Sequence, residues 1–472
     1  MRAEDVGLYR SPARALLAAG RAERGSEGTL AVAASGTLLV LAAFSAVVTT
    51  VGDSARSLHG GVASETWTLS AMSLGLATAL LGVGALADNF GRRRVLGLSA
   101  AGLALTSALG AIAPSMTVLA AARVLQGVAG AGIVASSLAS IGHAFPGGRA
   151  RTQATALWAA ALGAGIALGP LAGGALAGGL GWRSSYWLQA AAAVALAFGS
   201  GSLSESRAEV KRPLDLPGLV TLGAGMASLT AGLIEGRTDW SAPRTIGLLI
   251  GGAGLLASFA AIELVRRRPM VQLRLFADPS FVASITGALF TGLALIGLMS
   301  FSPTVMERGL HLGVVASAAV LAVWSGTSMV VSLGARRLPE RLSSPIRLAI
   351  GLTLSAAGEL ALTRVGGGSS WAALLSGLAV AGLGSGVANA ALGRLAVESV
   401  PSDRAGMGSG ANNTARYLGG AAGVALVVAI ASSHGAGGDG LVRGWDAAAL
   451  VSAALCLAGA VIAVVCGVRA RG

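Results

Sequence analysis

The stretch 84–96, Gly-Ala-Leu-Ala-Asp-Asn-Phe-Gly-Arg-Arg-Arg-Val-Leu (GALADNFGRRRVL), decides how the chain is read. It closes one apolar run, over 64–87, and opens another, over 95–113. Runs of ~20 apolar residues can cross ~30 Å of hydrocarbon as helices, in which every backbone polar group is satisfied internally. One acid and three consecutive arginines in the turn between two such runs mark the edge of a membrane.

The rest of the chain has the same character. Of its 472 residues 54% are hydrophobic and only 12% charged, with a mean hydropathy of +0.73. A soluble chain is about 25% charged, so this one lacks the polar residues to cover soluble domains. The net charge of +13 does not point to nucleic acid, because the bases sit in short gaps between apolar runs and not on one soluble face. Cys456 and Cys466 share the last apolar run on different helix faces, which argues against a disulfide framework or a metal site. No cofactor is expected. The four histidines lie near span ends or in loops and no Ser/His/Asp set lies at membrane depth, so no enzyme is expected.

Fourteen spans are expected, at 29–52, 64–87, 95–113, 116–144, 152–180, 184–204, 216–235, 243–265, 280–303, 314–334, 346–364, 371–398, 405–432 and 444–468. An even number puts both termini on one side. Of the 34 Lys and Arg residues, Arg56, Arg183, Arg237, Arg244, Arg308, Arg364 and Arg443 then fall outside, Arg123 and Arg416 fall within spans, and all others fall inside. This bias supports fourteen spans with both termini on the cytoplasmic side. The second half repeats the first at about 250 residues: GARRLPERL (334–342) ends span 10 much as GALADNFGRRR ends span 2. Such repeats mark transporters in which two helical bundles rock about a central site. Spans 7 and 8 have no counterpart. The expected organisation is a cytoplasmic tail (1–28), a six-helix bundle (29–204), an inserted helix pair with linkers (205–279), a second six-helix bundle (280–468) and a short cytoplasmic tail (469–472).

GALADNFGRRRVL resembles motif A of the major facilitator superfamily. RVLQGVAGAG (123–132) is similar to its motif B, and GAGIALGPLAGGAL (163–176) to motif C, the signature associated with antiporters. With PMVQLRLFADPSF (269–281) and AGMGSGANNTARYLGGAAGVA (405–425), the chain resembles the fourteen-span EmrB/QacA-type drug:proton antiporters over nearly its whole length after residue 28. The resemblance implies an all-α integral membrane protein with the major facilitator fold, two six-helix bundles plus two inserted helices. It implies export of small hydrophobic or amphipathic drugs or metabolites by alternating access, with protons as the candidate exchanged ion, membrane lipids as surroundings and a monomer as the working unit. The alternatives are a lipid or metabolite translocase without proton coupling and a membrane sensor that kept the fold.

The resemblance also implies roles. Gly84, Asp88, Gly91 and Arg92 form the gate motif, in which Asp88 and Arg92 link span 2 to the opposite bundle near the start of span 13; the plainer reading of Asp88 is a solvated loop acid. In motif B, Arg123 lies at membrane depth with Gln126 and Gly127. A charge there costs about 2.5–3.5 kcal/mol on insertion scales and faces a cavity or a partner; backbone carbonyls are the structural alternative. Gly165, Gly169 and Gly173 recur at every fourth residue beside Pro170 and Gly174, a surface for close helix packing with a bend. The family's acid in span 1 is missing: its position falls near Phe44 in LLVLAAFSAVVTTVGD (38–53). Glu359, Asp53 and Glu235 are the candidate proton-coupling acids in its place. Trp158, Trp324, Met329, Asn389 and Arg416 are the candidate cavity-lining residues, with Gln126.

Overall fold

The computed structural model describes residues 12–145, 148–207, 215–236, 239–266, 269, 273–334, 342–363, 371–400, 405–435 and 438–470. They form fourteen long helices: α1 Pro12–Ser57, α2 Val62–Phe90, α3 Arg92–Ala111, α4 Met116–Ala144, α5 Gly148–Leu180, α6 Arg183–Gly199, α7 Leu216–Gly236, α8 Pro243–Val265, α9 Pro279–Arg308, α10 Val314–Gly334, α11 Ser344–Ala361, α12 Trp371–Glu398, α13 Ala405–Ala431 and α14 Gly438–Arg469. Twelve are long and apolar enough to cross a membrane. The other two are α6, with 17 residues, and α11, with 18 residues that include Arg347 and Glu359.

Two features depart from the expected spans. Residues 12–28, expected as a tail, continue α1; ARALLAAGRAER (13–24) is built from strong helix formers and holds no proline to stop the helix. Inside α9 a π turn runs over Gly292–Ile296, and Pro303 also lies within that helix. Hydropathy is blind to an extra residue in a helical turn.

The helices form two bundles. In the first, α1 packs on α4 and α5, α2 on α4, and α3 on α4 and α6. In the second, α11 packs on α12 and α14, α9 on α13 and α14, and α10 on α12. The pair α7–α8 stands outside both, and only α7 of the two leans on the seam between α2 and α13. The bundles meet along α2–α13 and α5–α10. We call the face bearing both chain ends the terminal face and the opposite one the distal face. Near the distal face, Val47, Val51 and Ala55 of α1 share one apolar core with Leu298, Phe301 and Val305 of α9 and Val424 and Val427 of α13. Toward the terminal face, Leu81 of α2 packs on Val400, Met407 and Ala411. The two bundles therefore touch on both sides of the membrane midplane.

Candidate functional site

Between these two closures lies a narrow cavity of about 60 Å³. Its wall on the first bundle is nearly all apolar: Leu41, Phe44, Ser45 and Val48 of α1 and Ile166 and Pro170 of α5. The opposite wall carries Thr291, Leu295, Ile296, Met299 and Ser300 of α9, Leu321, Trp324 and Ser325 of α10, Ser385 and Asn389 of α12, and Arg416 and Tyr417 of α13. The π turn shapes this wall. A Cβ on Gly292 would stand 2.0 Å from the Arg416 carbonyl oxygen, so α9 meets α13 backbone to backbone there and turns Leu295 and Ile296 to the cavity. A π turn at a ligand-facing position is a common association.

Polar groups on this wall form a chain. The Arg416 guanidinium donates to Asn389 Oδ1, the Asn389 amide donates to Ser385 Oγ at 3.4 Å, and Ser328 Oγ lies 3.3 Å from Ser385 Oγ. Phe44 and Tyr417 meet edge to face across the bundle interface, with ring centroids 5.8 Å apart. Of the residues expected at the cavity, Trp324, Asn389 and Arg416 line it. Three do not. Gln126 and Trp158 are buried within the first bundle, and Met329 packs against Gly163 at the α5–α10 contact. Polarity, aromaticity and a soft side chain selected these three, but none of these properties encodes which way a helix face turns.

Arg123 is fully buried and reaches α1 through its fork: one terminal nitrogen donates to Ala43 O at 2.7 Å, the other to Phe44 O at 3.1 Å. The first also donates to Gln126 Oε1 at 3.3 Å. The Gln126 amide continues to Ser107 Oγ at 2.8 Å and Gln189 Oε1 at 3.2 Å. The carbonyls lie at the place where the resemblance expects an acid. Here Arg123 is held by the α1 backbone instead, and with Gln126 it ties α1, α3, α4 and α6 together. Gly127 lies against α2, where a Cβ would stand 2.3 Å from Met72 O.

The motif C glycines divide their work. Gly165, Gly169 and Gly173 face α1: added Cβ atoms would stand 2.5, 2.5 and 2.8 Å from the carbonyls of Leu38, Ala42 and Ala46. Ser45 Oγ bonds to Gly165 O at 3.3 Å and Thr49 Oγ1 to Pro170 O at 3.0 Å across the same contact. Gly174 instead meets Val314 and Ala318 of α10 in the other bundle. The motif thus seats the cavity-lining helix α1 and also reaches the bundle interface.

In the gate motif, Gly91 joins α2 to α3 with a φ of 107°, a conformation that favours glycine. Gly84 faces open space. Asp88 is the third-last residue of α2; its side chain lies outside the described residues. Arg92 donates to Ala139 O of α4 at 3.0 Å and lies 3.5 Å from Ser206 Oγ, just beyond α6. These two bonds stay within the first bundle; the expected link to the second falls on the Asp88 side chain and on residues 401–404, which lie outside the described residues.

The candidate acids are dispersed. Glu359 is fully buried between α11 and α14, accepting a 3.4 Å bond from Ser452 Oγ, and does not line the cavity. It is the third-last residue of α11. Glu235 pairs with Arg244 at 3.3 Å on the half-exposed α7–α8 pair. Asp53 pairs with Arg56 at the distal end of α1. The sequence reading missed two others. Glu65, at the start of α2, forms an ion pair with Arg308, at the end of α9, across the two bundles. Beside it Glu307 brings Oε2 to within 3.5 Å of the Cβ position of Gly52, and its buried Oε1 has no hydrogen-bond partner. Asp53, Arg56, Glu65, Glu307 and Arg308 thus form one charged cluster over the distal closure. The Glu65–Arg308 pair spans 243 positions of sequence, and nothing local announces it.

The profile of the Major Facilitator Superfamily matches residues 33–424. The multidrug resistance protein Stp of Mycobacterium tuberculosis is 29% identical over 377 residues, covering 79% of this chain and 70% of that protein. The puromycin resistance protein pur8 of Streptomyces alboniger is 31% identical over 426 residues, covering 86% and 84%. Among solved structures, the peptide transporter POT superposes with a TM-score of 0.67 at 15% identity, covering 94% of this chain and 95% of that one, a likeness of fold.

Proposed function

This chain belongs to the Major Facilitator Superfamily, and we propose that it exports small amphipathic or hydrophobic compounds by alternating access. It is a multi-pass membrane transporter of the bacterial type and not an enzyme. The observation that carries the proposal is the cavity between the bundles: both line it, and apolar contacts between them lie on either side of it. Rocking one bundle on the other would open one exit while the second stays shut. Relatives named for multidrug and puromycin resistance support the outward direction. The test is transport by the purified chain in liposomes against neutral, cationic and anionic lipophilic compounds, with and without an imposed pH gradient. Movement of none of them would overturn the reading.

The arginine bias assigns the terminal face to the cytoplasm and the distal face to the outside of an inner membrane. Reporter fusions at Gly60 and Gly368 are expected outside, and at Arg93, Lys211 and Arg341 inside. Gly368, Lys211 and Arg341 lie outside the described residues. Reversal of every fusion from Lys211 onward would contradict fourteen spans. Asp88 keeps its assigned role at the cytoplasmic exit, beside the contact of Leu81 with Gly410, and the chain works as a monomer.

We assign proton coupling to the outer cluster in preference to Glu359 or Glu235. Among the described residues, only there do carboxyl groups from α1, α2 and α9 meet across the seam that must part. When it parts, Glu307 exchanges a buried site facing Gly52 for water, and a carboxyl whose surroundings alternate can load and release a proton. Glu307→Gln is expected to abolish gradient-driven export while leaving substrate exchange in the absence of a gradient. Export at the wild-type rate would return coupling to another group.

A further inference from the structure

The cavity has one formal charge, and it is positive. Arg416 lines it, partly buried in mid-membrane, and no Asp or Glu is among the lining residues. Among the described residues its guanidinium makes one hydrogen bond, to Asn389 Oδ1, and no ion pair. Asn389 is neutral, so the charge stands uncompensated. The carboxylates of the outer cluster lie a turn or more beyond the cavity and have Arg56 and Arg308 beside them.

A second donor belongs to a residue of the same wall. Trp324 lines the cavity, and its buried indole Nε1 has no hydrogen-bond partner. A buried N–H without a partner costs about 1–3 kcal/mol, which a ligand acceptor would recover. Nearby hydroxyls are already committed: Thr291 Oγ1 donates to Gly287 O at 2.7 Å, and Ser45 Oγ to Leu41 O at 2.9 Å. Having given their protons, these two hydroxyls can only accept; Arg416, with one bond made, and Trp324 keep N–H groups without a partner. Opposite stand apolar and aromatic surfaces, with Phe44 against Tyr417 at the seam.

We propose that the preferred cargo is an amphipathic organic anion, a flat apolar body with one carboxylate or acidic phenol bound by Arg416 and Trp324. The assignment names the substrate class for the export reading above and rests on it. A guanidinium fork matches a carboxylate in geometry as well as charge. In low dielectric it attracts an anion strongly and repels a lipophilic ammonium by the same physics. Binding the anion also removes the cost of holding a lone cation at this depth. Phe44, at the place of the family's acid, completes the selection: the wall that would counter a cationic cargo is hydrocarbon.

The test uses three anthracenes that differ only in the group at one position: 9-anthracenecarboxylate, 9-anthracenemethanol and 9-(aminomethyl)anthracene. Binding to the full detergent-solubilised chain is measured by equilibrium dialysis, and transport in proteoliposomes. The carboxylate is expected to bind about tenfold or more tighter than either companion, the scale of a charge-assisted hydrogen bond. Arg416→Gln is expected to remove that preference and leave the alcohol unchanged, and Arg416→Lys to keep part of it. Ser300→Asp, which adds an acid to the same wall and leaves Arg416 in place, is expected to lower carboxylate affinity by a similar factor and raise that of the amine. Equal or tighter binding of the amine by the wild-type chain overturns the assignment, as does an equal effect of Arg416→Gln on all three. If the alcohol and amine are exported with no preference for the acid, export stands and the anion class falls. If none of the three crosses, nor any other lipophilic compound, export falls, and the dialysis ratios still decide the anion class.

Discussion

Arg308→Ala is expected to open the outer exit of the cavity. The substitution removes the partner of Glu65, whose side chain is only 4% exposed, and with it the ion pair that joins α2 to α9 across the seam. Loss of a partner to a buried charged group costs about 1–3 kcal/mol, and the lower part of that range applies because Arg308 is itself one-third exposed. Even about 1.4 kcal/mol shifts the ratio of open to closed chains tenfold. The penalty falls on the outward-closed state alone, since Glu65 regains water when the seam parts. A cysteine placed at Val48, on the cavity wall, should react about tenfold faster with a membrane-impermeant thiol reagent added outside. The native thiols, Cys456 and Cys466, are buried and leave the background low. Arg308→Lys, which keeps the charge, should react close to the wild-type rate. An unchanged rate in Arg308→Ala would mean that the apolar contact of Val51 with Val305 closes the exit unaided.

The second large effect is expected at Arg123, and its direction separates charge from geometry. Arg123 is fully buried and divides its fork between Ala43 O and Phe44 O. A lysine keeps the buried charge but offers a point donor, which cannot span two carbonyls in the same way. A methionine fills similar volume and removes the desolvation cost, and such replacements of buried charges are often neutral to stability. The α1 carbonyls accept bonds within their own helix, and Gln126 keeps Ser107 and Gln189. Thermal stability should therefore rank wild type and Arg123→Met together, above Arg123→Lys. Transport should fall about tenfold or more in both variants, because α1, the main apolar wall of the cavity, loses its anchor to α4. Full transport in Arg123→Lys would show that a positive charge suffices and the fork on α1 does not matter.

Both sites show how far the sequence could be read. Twelve of the fourteen helices announced themselves by length and hydropathy, and the arginines of 92–94 marked one boundary. The inserted pair α7–α8 was visible as the part the internal repeat leaves unmatched. Arg123 was legible as a buried charge because nothing else excuses an arginine at that depth. Helix faces were not legible. In a water-soluble helix a polar stripe marks the outside, but here the lipid-facing and core-facing sides are both apolar. Trp158 and Met329 therefore could not be told from Trp324. Glu65 and Glu307 lie near span ends, where acids are common, and only the fold brings them to Arg308 and Gly52. The π turn in α9, which shapes the cavity wall, changes no hydropathy value.

The central claim is that cargo passes through the midplane cavity by parting of the bundles. It is tested most directly by linking them. A chain with Glu65→Cys and Arg308→Cys in inside-out vesicles can be joined across the outer seam with a reducible bis-thiosulfonate reagent. Accumulation of 9-anthracenecarboxylate in the vesicles is predicted before linking, with at least tenfold less after it and full recovery on reduction. Accumulation that continues at an unchanged rate with the seam locked would contradict the claim.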